Sequence, residues 1–307
     1  DAMASRGLGD VYKRQDLTRV GMVTDAIWID LNKDEFLDLV VVGEWMPVAI
    51  FHNQNGKLVD VTENYGLKNI TGWWNTIAAG DFNHDGNIDL VAGNLGLNST
   101  LKTTPEKPVR LYLHDFSGNG RTESILTYYN GEKSYPLAST DLMMENIPEL
   151  RSQYATYKAF AGKTIEEIFP KEKLNAATVC EATEFASLLL LNTGTESFTI
   201  QPLLTEAQLS PIQAIFVDDI NADGNLDLLL GGNFFGVPLA LGRYDASYGS
   251  LLLGDGTGNF QPVSLQNSEF ITTGEVRFIQ QLQTAEGKAR VAVARNNDPV
   301  VIFEMQK

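Results

Sequence analysis

Three stretches of this chain place oxygen-bearing side chains at identical intervals. Residues 30–38 (DLNKDEFLD), 81–89 (DFNHDGNID) and 219–227 (DINADGNLD) each carry Asp at position 1, Asn at 3, Asp at 5 and Asp at 9. The side chains are Asp30, Asn32, Asp34 and Asp38; Asp81, Asn83, Asp85 and Asp89; and Asp219, Asn221, Asp223 and Asp227. Alternating oxygen donors in so short a turn can converge on one centre if the chain bends sharply near position 6. A hard divalent cation needs six to eight oxygens at about 2.3–2.6 Å, and the position 7 carbonyl (Phe36, Asn87, Asn225) adds one, as in the first half of an EF-hand loop. Magnesium demands stricter octahedral geometry and zinc favours N and S donors, so the pattern predicts calcium. A solvated acidic turn is the plain alternative, since Asp, Asn and Gly are ordinary turn formers. Repetition argues against it, because two carboxylates 4 Å apart repel by up to ~4 kcal/mol at an effective dielectric of 20. Position 6 is Gly86 and Gly224 in two loops but Glu35 in the first, where the turn is expected to be strained. Residues 115–123 (DFSGNGRTE) form a degenerate copy with Asp115, Ser117, Asn119 and Glu123. The expectation is calcium in three loops, with this one an open fourth.

Each loop lies between two apolar runs, as in IWIDLNKDEFLDLVVVG, IAAGDFNHDGNIDLVAGN and IFVDDINADGNLDLLLGGN. A second unit of strand, Gly/Asn turn and strand follows: IFHNQNGKLVDV, LLLNTGTESFTIQPL and LLLGDGTGNFQPV. The two hairpins together make a four-stranded unit that recurs at about 50 residues, the repeat from which a β-propeller is built. Near-continuous apolar runs suit strands buried on both faces. The rival reading, a parallel α/β sheet, needs longer crossovers than the close turn signals allow. The last unit, QLQTAEGKARVAVARNN, keeps the strands and lacks the carboxylates. The expected fold is thus all-β, a propeller of four-stranded blades in a partial or small ring. Within it, 139–178 reads as a short helical insertion: STDLMMENIPELRSQY, TIEEIF and KEKLNAA have helical character, with Thr164 capping the second segment and Pro170 opening the third. The register between residues 89 and 186 stays open. The 115–123 copy is either the second hairpin of its blade or the acidic loop of the next.

Composition narrows the function. With 39 Asp plus Glu against 23 Lys plus Arg the formal charge is −16, and no basic cluster could follow a phosphate backbone, which excludes nucleic acid. No apolar run approaches the ~20 residues of a spanning helix. The single cysteine, Cys180, has no disulfide partner and reads as a small buried apolar residue. Residues 1–19 lack an apolar signal-peptide core. The string GLGDVYKRQ resembles translated adapter sequence, so 1–19 is expected to be a non-native or disordered tail before a domain spanning 20–307, in a fragment that lacks its true N-terminus.

If every acidic loop joins strands 1 and 2 of its blade, the metals share one face and the remaining turns share the opposite one. Those turns carry Glu44, Trp45, Trp73, Trp74, Asn94, Asn98, Asn233, Phe234, Phe235, Arg243, Tyr244, Arg295 and Asn297. Aromatics mixed with Asn and Arg on loops are typical of contact surfaces, and this is the expected partner face, although Trp and Phe there also suit packing between blades. No HExxH motif and no complete nucleophile elbow occurs; the nearest approach, DASYG at 245–249, lacks the first Gly. Binding of a protein or glycan is therefore expected, without catalysis. The alternatives are a hydrolase with a carboxylate pair in a propeller cleft, and a purely structural domain.

The loops, the stretch WNTIAAGDFNHDGNIDLVAGN and the hairpin NGKLVDVTENYGL resemble FG-GAP/VCBS repeats, found also in integrin alpha-chain propellers. They are similar to bacterial secreted relatives of cartilage acidic protein, which often carry an ASPIC/UnbV module. The resemblance covers about residues 22–307. It implies calcium at the loop residues named above, an extracellular, cell-surface or periplasmic setting, and adhesion or binding in place of catalysis. The chain departs from the pattern at Glu35, in the Asp115 loop and in ending without an ASPIC/UnbV module.

Overall fold

The computed structural model describes residues 17, 19–238, 241–283 and 289–304. The expected tail at 1–19 lies almost wholly outside the described residues. The architecture is a set of antiparallel sheets with few helices. The first sheet contains β1 (Met22–Ile29), β2 (Asp38–Pro47), β3 (Ala49–Gln54) and β4 (Lys57–Asp60) in that order, and β5 (Thr71–Trp73) pairs with the end of β2. The second begins with β6 (Thr76–Gly80) and β7 (Asp89–Gly93).

Here the chain departs from the expected order. It builds a separate sheet from β8 (Val109–His114), β9 (Glu123–Asn130) and β10 (Lys133–Pro136). Five short helices follow, α1 (Thr140–Asn146), α2 (Glu149–Gln153), α3 (Tyr157–Phe160), α4 (Ile165–Ile168) and α5 (Lys171–Ala176), and β11 (Thr178–Ala182) then returns to pair with β8. Only then does β12 (Leu188–Asn192) pair with β7, with β13 (Phe198–Pro202) outside it. The insertion is therefore larger than the helices at 139–178: a four-stranded sheet travels with them. Thr164 caps α4 in a reciprocal capping box with Glu167, and Pro170 precedes α5. Cys180, expected to be buried, is half-buried in β11.

The third repeat sheet is β14 (Ile212–Asp218), β15 (Asp227–Gly232), β16 (Ser250–Gly254) and β17 (Phe260–Val263). After α6 (Leu265–Ser268) comes a last sheet of β18 (Glu275–Gln283), β19 (Ala289–Asn296) and β20 (Asp298–Glu304). First strands of successive repeat sheets touch: β1 meets β6, β6 meets β14, and β14 meets β18.

This stacking explains the continuous apolar runs. Side chains alternate across a strand, so Leu90 and Ala92 pack toward the first sheet while Val91 joins Leu228, Leu230 and Leu252 on the other side. Leu229 and Leu251 in turn meet Val276, Ile279 and Val293 of the last sheet. The backbones also come close. A Cβ on Gly43 would stand 2.2 Å from the Met22 carbonyl oxygen, and one on Gly232 would stand 2.0 Å from that of Pro211. Among the described residues no helix is long and apolar enough to cross a membrane.

Candidate functional site

All four acidic loops join the first and second strands of a sheet: β1 to β2, β6 to β7, β8 to β9 and β14 to β15. The open question about residues 115–123 is thereby answered, since this loop opens the inserted sheet. The loops share one backbone trace, with left-handed residues at positions 4 and 6. These are Lys33 and Glu35, His84 and Gly86, Ala222 and Gly224, and Gly118 and Gly120. Glu35 takes φ 70° where the other loops place glycine, so the expected strain is present.

One hydrogen-bond pattern fixes the side chains. In the second loop the amide of Asp85 donates to Asp81 Oδ1 (3.2 Å) and Asn83 Oδ1 (3.1 Å), and the amide of Gly86 donates to Asp81 Oδ2 (2.9 Å). The amide of Asn87 donates to Asp85 Oδ1 (2.7 Å), and Asn83 Nδ2 to Asp85 Oδ2 (3.1 Å). The same bonds recur around Asp30, Asn32 and Asp34 and around Asp219, Asn221 and Asp223. In the fourth loop Asp115 accepts from the amides of Asn119 and Gly120, and Asn119 Oδ1 from that of Arg121. In the three full loops positions 1 and 3 thus turn oxygens toward one point, the amide of residue 5.

Position 9 has a second task. Asp38, Asp89 and Asp227 are fully buried at the start of the second strand. One oxygen accepts from the amide at position 2 (Leu31, Phe82, Ile220), the other from the third strand (Asn53, Asn192, Gly254). Each therefore ties its loop to its sheet. Burial pushes their carboxyls above the usual range, that of Asp89 to about 6, while these amides pull the other way. Asp223, held by the amide of Asn225, is lowered. In Asp85 burial opposes the amide of Asn87, and the balance is again downward. In the fourth loop Glu123 replaces Asp and accepts from the Phe116 amide and the Ser117 hydroxyl.

Neighbouring loops are also linked. His84 Nε2 lies 2.9 Å from Asn225 Oδ1, and the charge of Lys33 in the first loop favours ionised Asp85 in the second. Asn192 Nδ2 donates to the Leu31 carbonyl, and the Gly258 amide to that of Phe82.

The donor chemistry suits a hard cation, since every side chain in the set offers oxygen. Each carboxylate oxygen has more than one acceptor direction, so one that takes an amide retains capacity for a metal. The side chains do not form a ready cage: among the described residues no three His, Cys, Asp or Glu groups are gathered closely enough to hold an ion. The loop amides hold the carboxylates instead.

At the other end of the strands lies a cavity of about 450 Å³. Thr24, Gln213 and Arg277 line it, and each is the residue skipped at the register shift of its first strand, in β1, β14 and β18. Five of the expected partner-face residues meet here: Glu44, Trp45, Trp73, Phe234 and Tyr244. Trp45 and Trp73 pack edge to face at 5.1 Å, and Arg243 stacks over Phe235 at 4.0 Å. Leu111, Leu126 and Leu137 of the inserted sheet form one wall, which no local sequence signal placed there.

Three residues expected on this face are core residues. Trp74 is fully buried and donates from Nε1 to the Met46 carbonyl; Asn94 bonds Glu184, Ala186, Trp73 and Leu95; Asn233 bonds Ser210, Ser247 and Gly274. A buried amide that satisfies this many backbone groups stitches strand ends together. Asn98 is exposed, and Arg295 and Asn297 lie at the β19–β20 turn, outside the cavity lining.

Comparison with known families returns the FG-GAP-like repeat over residues 30–92, a span that holds the first two acidic loops. No curated protein matches the chain. Residues 30–92 thus match the FG-GAP-like repeat, with two acidic loops inside that match and two more built on the same left-handed backbone beyond it.

Proposed function

We propose that this chain is a calcium-stabilised extracellular binding module, its repeat sheets arranged as propeller blades, with a protein or glycan partner on the face opposite the acidic loops. FG-GAP repeats are typical of extracellular adhesion-type modules and generally non-catalytic, which supports the setting and the class. The observation that carries the reading is the recurrence of one loop, with the same left-handed residues and the same oxygen positions, between the first two strands of four sheets. Asp30, Asn32, Asp34 and Asp38, their counterparts at 81–89 and 219–227, and the position 7 carbonyls would hold the ion; Asp115, Ser117, Asn119 and Glu123 form the fourth candidate. A bound ion neutralises carboxylates that otherwise repel, and binding to the folded state alone stabilises it by mass action. The hydrolase alternative gains no support from the cavity, where Glu44 is the only carboxylate among the described lining residues.

Thermal melts in millimolar calcium and in EGTA test the reading. The midpoint is expected to rise with calcium by several degrees, and Asp85→Ala and Asp223→Ala each to remove one bound ion by calorimetric titration. Coincident midpoints, or unchanged stoichiometry in both variants, would overturn the calcium assignment.

A further inference from the structure

The cavity lining contains one charged side chain without a partner among the described residues, Glu44, and beside it the buried indole N–H of Trp73, also without one. Glu44 lies in the second half of β2, paired across to Met22 and to Trp73. The equivalent position after the register shift is Asn233 in the third repeat sheet and Asn296 in the last. Both of those amides are engaged, Asn233 with three residues and Asn296 with Glu275. Glu44 alone carries charge there, and its carboxylate has no hydrogen-bond or ion-pair partner among the described residues. It is half-buried, and desolvation with nothing to offset it pushes the carboxyl upward. The nearest described cation in the lining, Arg277, is already paired with Glu275 at 2.9 Å and lies over the Phe234 ring.

Its surroundings are aromatic. Trp45 follows it directly with φ 62°, a left-handed conformation that a bulky residue adopts only under constraint, at a shift in the pairing of β2 with β5. The bulge brings the Trp45 ring against Trp73 beside Glu44. A half-buried, unpaired carboxylate beside two indole rings, in a cavity with leucine walls, suits a positive charge on an apolar body. The carboxylate supplies the counter-charge, and the ring faces add cation–π attraction of about 0.5–2 kcal/mol.

We infer that the cavity binds a small organic ammonium group, its charge on Glu44 and its alkyl body against Trp45, Trp73 and the leucines of the inserted sheet. This deepens the reading of the face as the binding face and is independent of calcium. Neutral sugars also use aromatic platforms, but they give no reason for a lone carboxylate where the other repeats use a bonded amide.

The probes are n-butylammonium and its neutral counterpart n-butanol, with methyl β-glucoside as the sugar arm, titrated into the calcium-loaded chain while tryptophan fluorescence and NMR shifts are followed. Butylammonium is expected to bind at least tenfold more tightly than butanol, with Glu44→Gln removing that preference and Trp45→Ala weakening binding. Should Glu44→Gln fail to fold, Glu44→Asp, which withdraws the carboxylate by one methylene, is expected to weaken butylammonium severalfold, and the wild-type comparison stands alone. Equal binding of butanol, no binding of butylammonium, or preference for the glucoside overturns the inference. If butylammonium fails while calcium still raises the melting midpoint, only the cavity reading falls; if it binds while the midpoints coincide, only the calcium reading falls.

Discussion

At the scale of single residues, the acidic loops show two kinds of carboxylate under one motif. Asp81 and Asp85 are held by amides of their own loop, whereas Asp89 reaches Asn192 across 103 positions of sequence. The spacing made the donor set legible, but the clamp was hidden, because its partner lies on a strand far along the chain. The raised carboxyls give a pH dependence with a defined sign. The folded chain binds the Asp89 proton more tightly than the unfolded chain does, so metal-free stability is gained as pH falls from 7.5 through about 6, and lost as pH rises through it. Asp38 and Asp227 are shifted the same way. Urea unfolding in EGTA is expected to show a gain between pH 7.5 and 5, with Asp89 alone contributing on the order of 1 kcal/mol. Calcium should flatten or invert that slope, since it takes the place of the proton. A flat metal-free profile would contradict the burial of these groups as charges. Glu35 offers a cleaner change: Glu35→Gly removes a left-handed non-glycine residue from a position that is glycine in the other loops. It should stabilise by about 1 kcal/mol, read as a higher melting midpoint, because the gain from relaxed backbone exceeds the added entropy of the unfolded chain.

At the scale of elements, near-continuous apolar runs between close turn signals made most strands readable, and their burial on both faces follows from stacking of sheet on sheet. The last sheet is the exception. In β18 Ile279 is buried against the third repeat sheet, while its neighbour Phe278 is 59 % exposed. Ile279→Ala should therefore cost about 2–5 kcal/mol and Phe278→Ser less than about 0.5 kcal/mol. Chemical denaturation of the two variants checks the strand's register, and comparable losses would place the register one residue away. The insertion was only half legible. Its helical periods stood out, yet three helical stretches became five helices, with α1 and α2 divided around Ile147 and Pro148. The strands β8 to β11 could not be assigned to a separate sheet, because nothing local shows that β7 skips the next four strands to pair with β12. The same blindness applied to Asn94 and Asn233: polar residues at strand ends resemble surface loops until their backbone partners are seen.

At the scale of the whole molecule, the −16 charge divides unevenly. Nine aspartates stand at positions 1, 5 and 9 of the three full loops, so three calcium ions, carrying six charges, would take −16 to −10. The acidity is in good part a property of one end of the strands, and at the other Glu44 is a carboxylate without an ion-pair partner among the described residues, whereas Glu275 is paired with Arg277. The inserted sheet connects the two levels, since it supplies the leucine wall of the cavity and also interrupts the second repeat sheet. That interruption bears on how the chain emerges from the ribosome. All five residues of β7 are buried in the finished protein, but the strand that covers its outer edge lies roughly ninety residues later, which at about 5–20 residues per second is a wait of some 5–20 seconds. During synthesis the β6–β7 hairpin must stand with an open, apolar edge while the inserted sheet is made. The first sheet is complete by then and meets β6 through β1, so the order of translation assigns the first sheet the part of a nurse for the second.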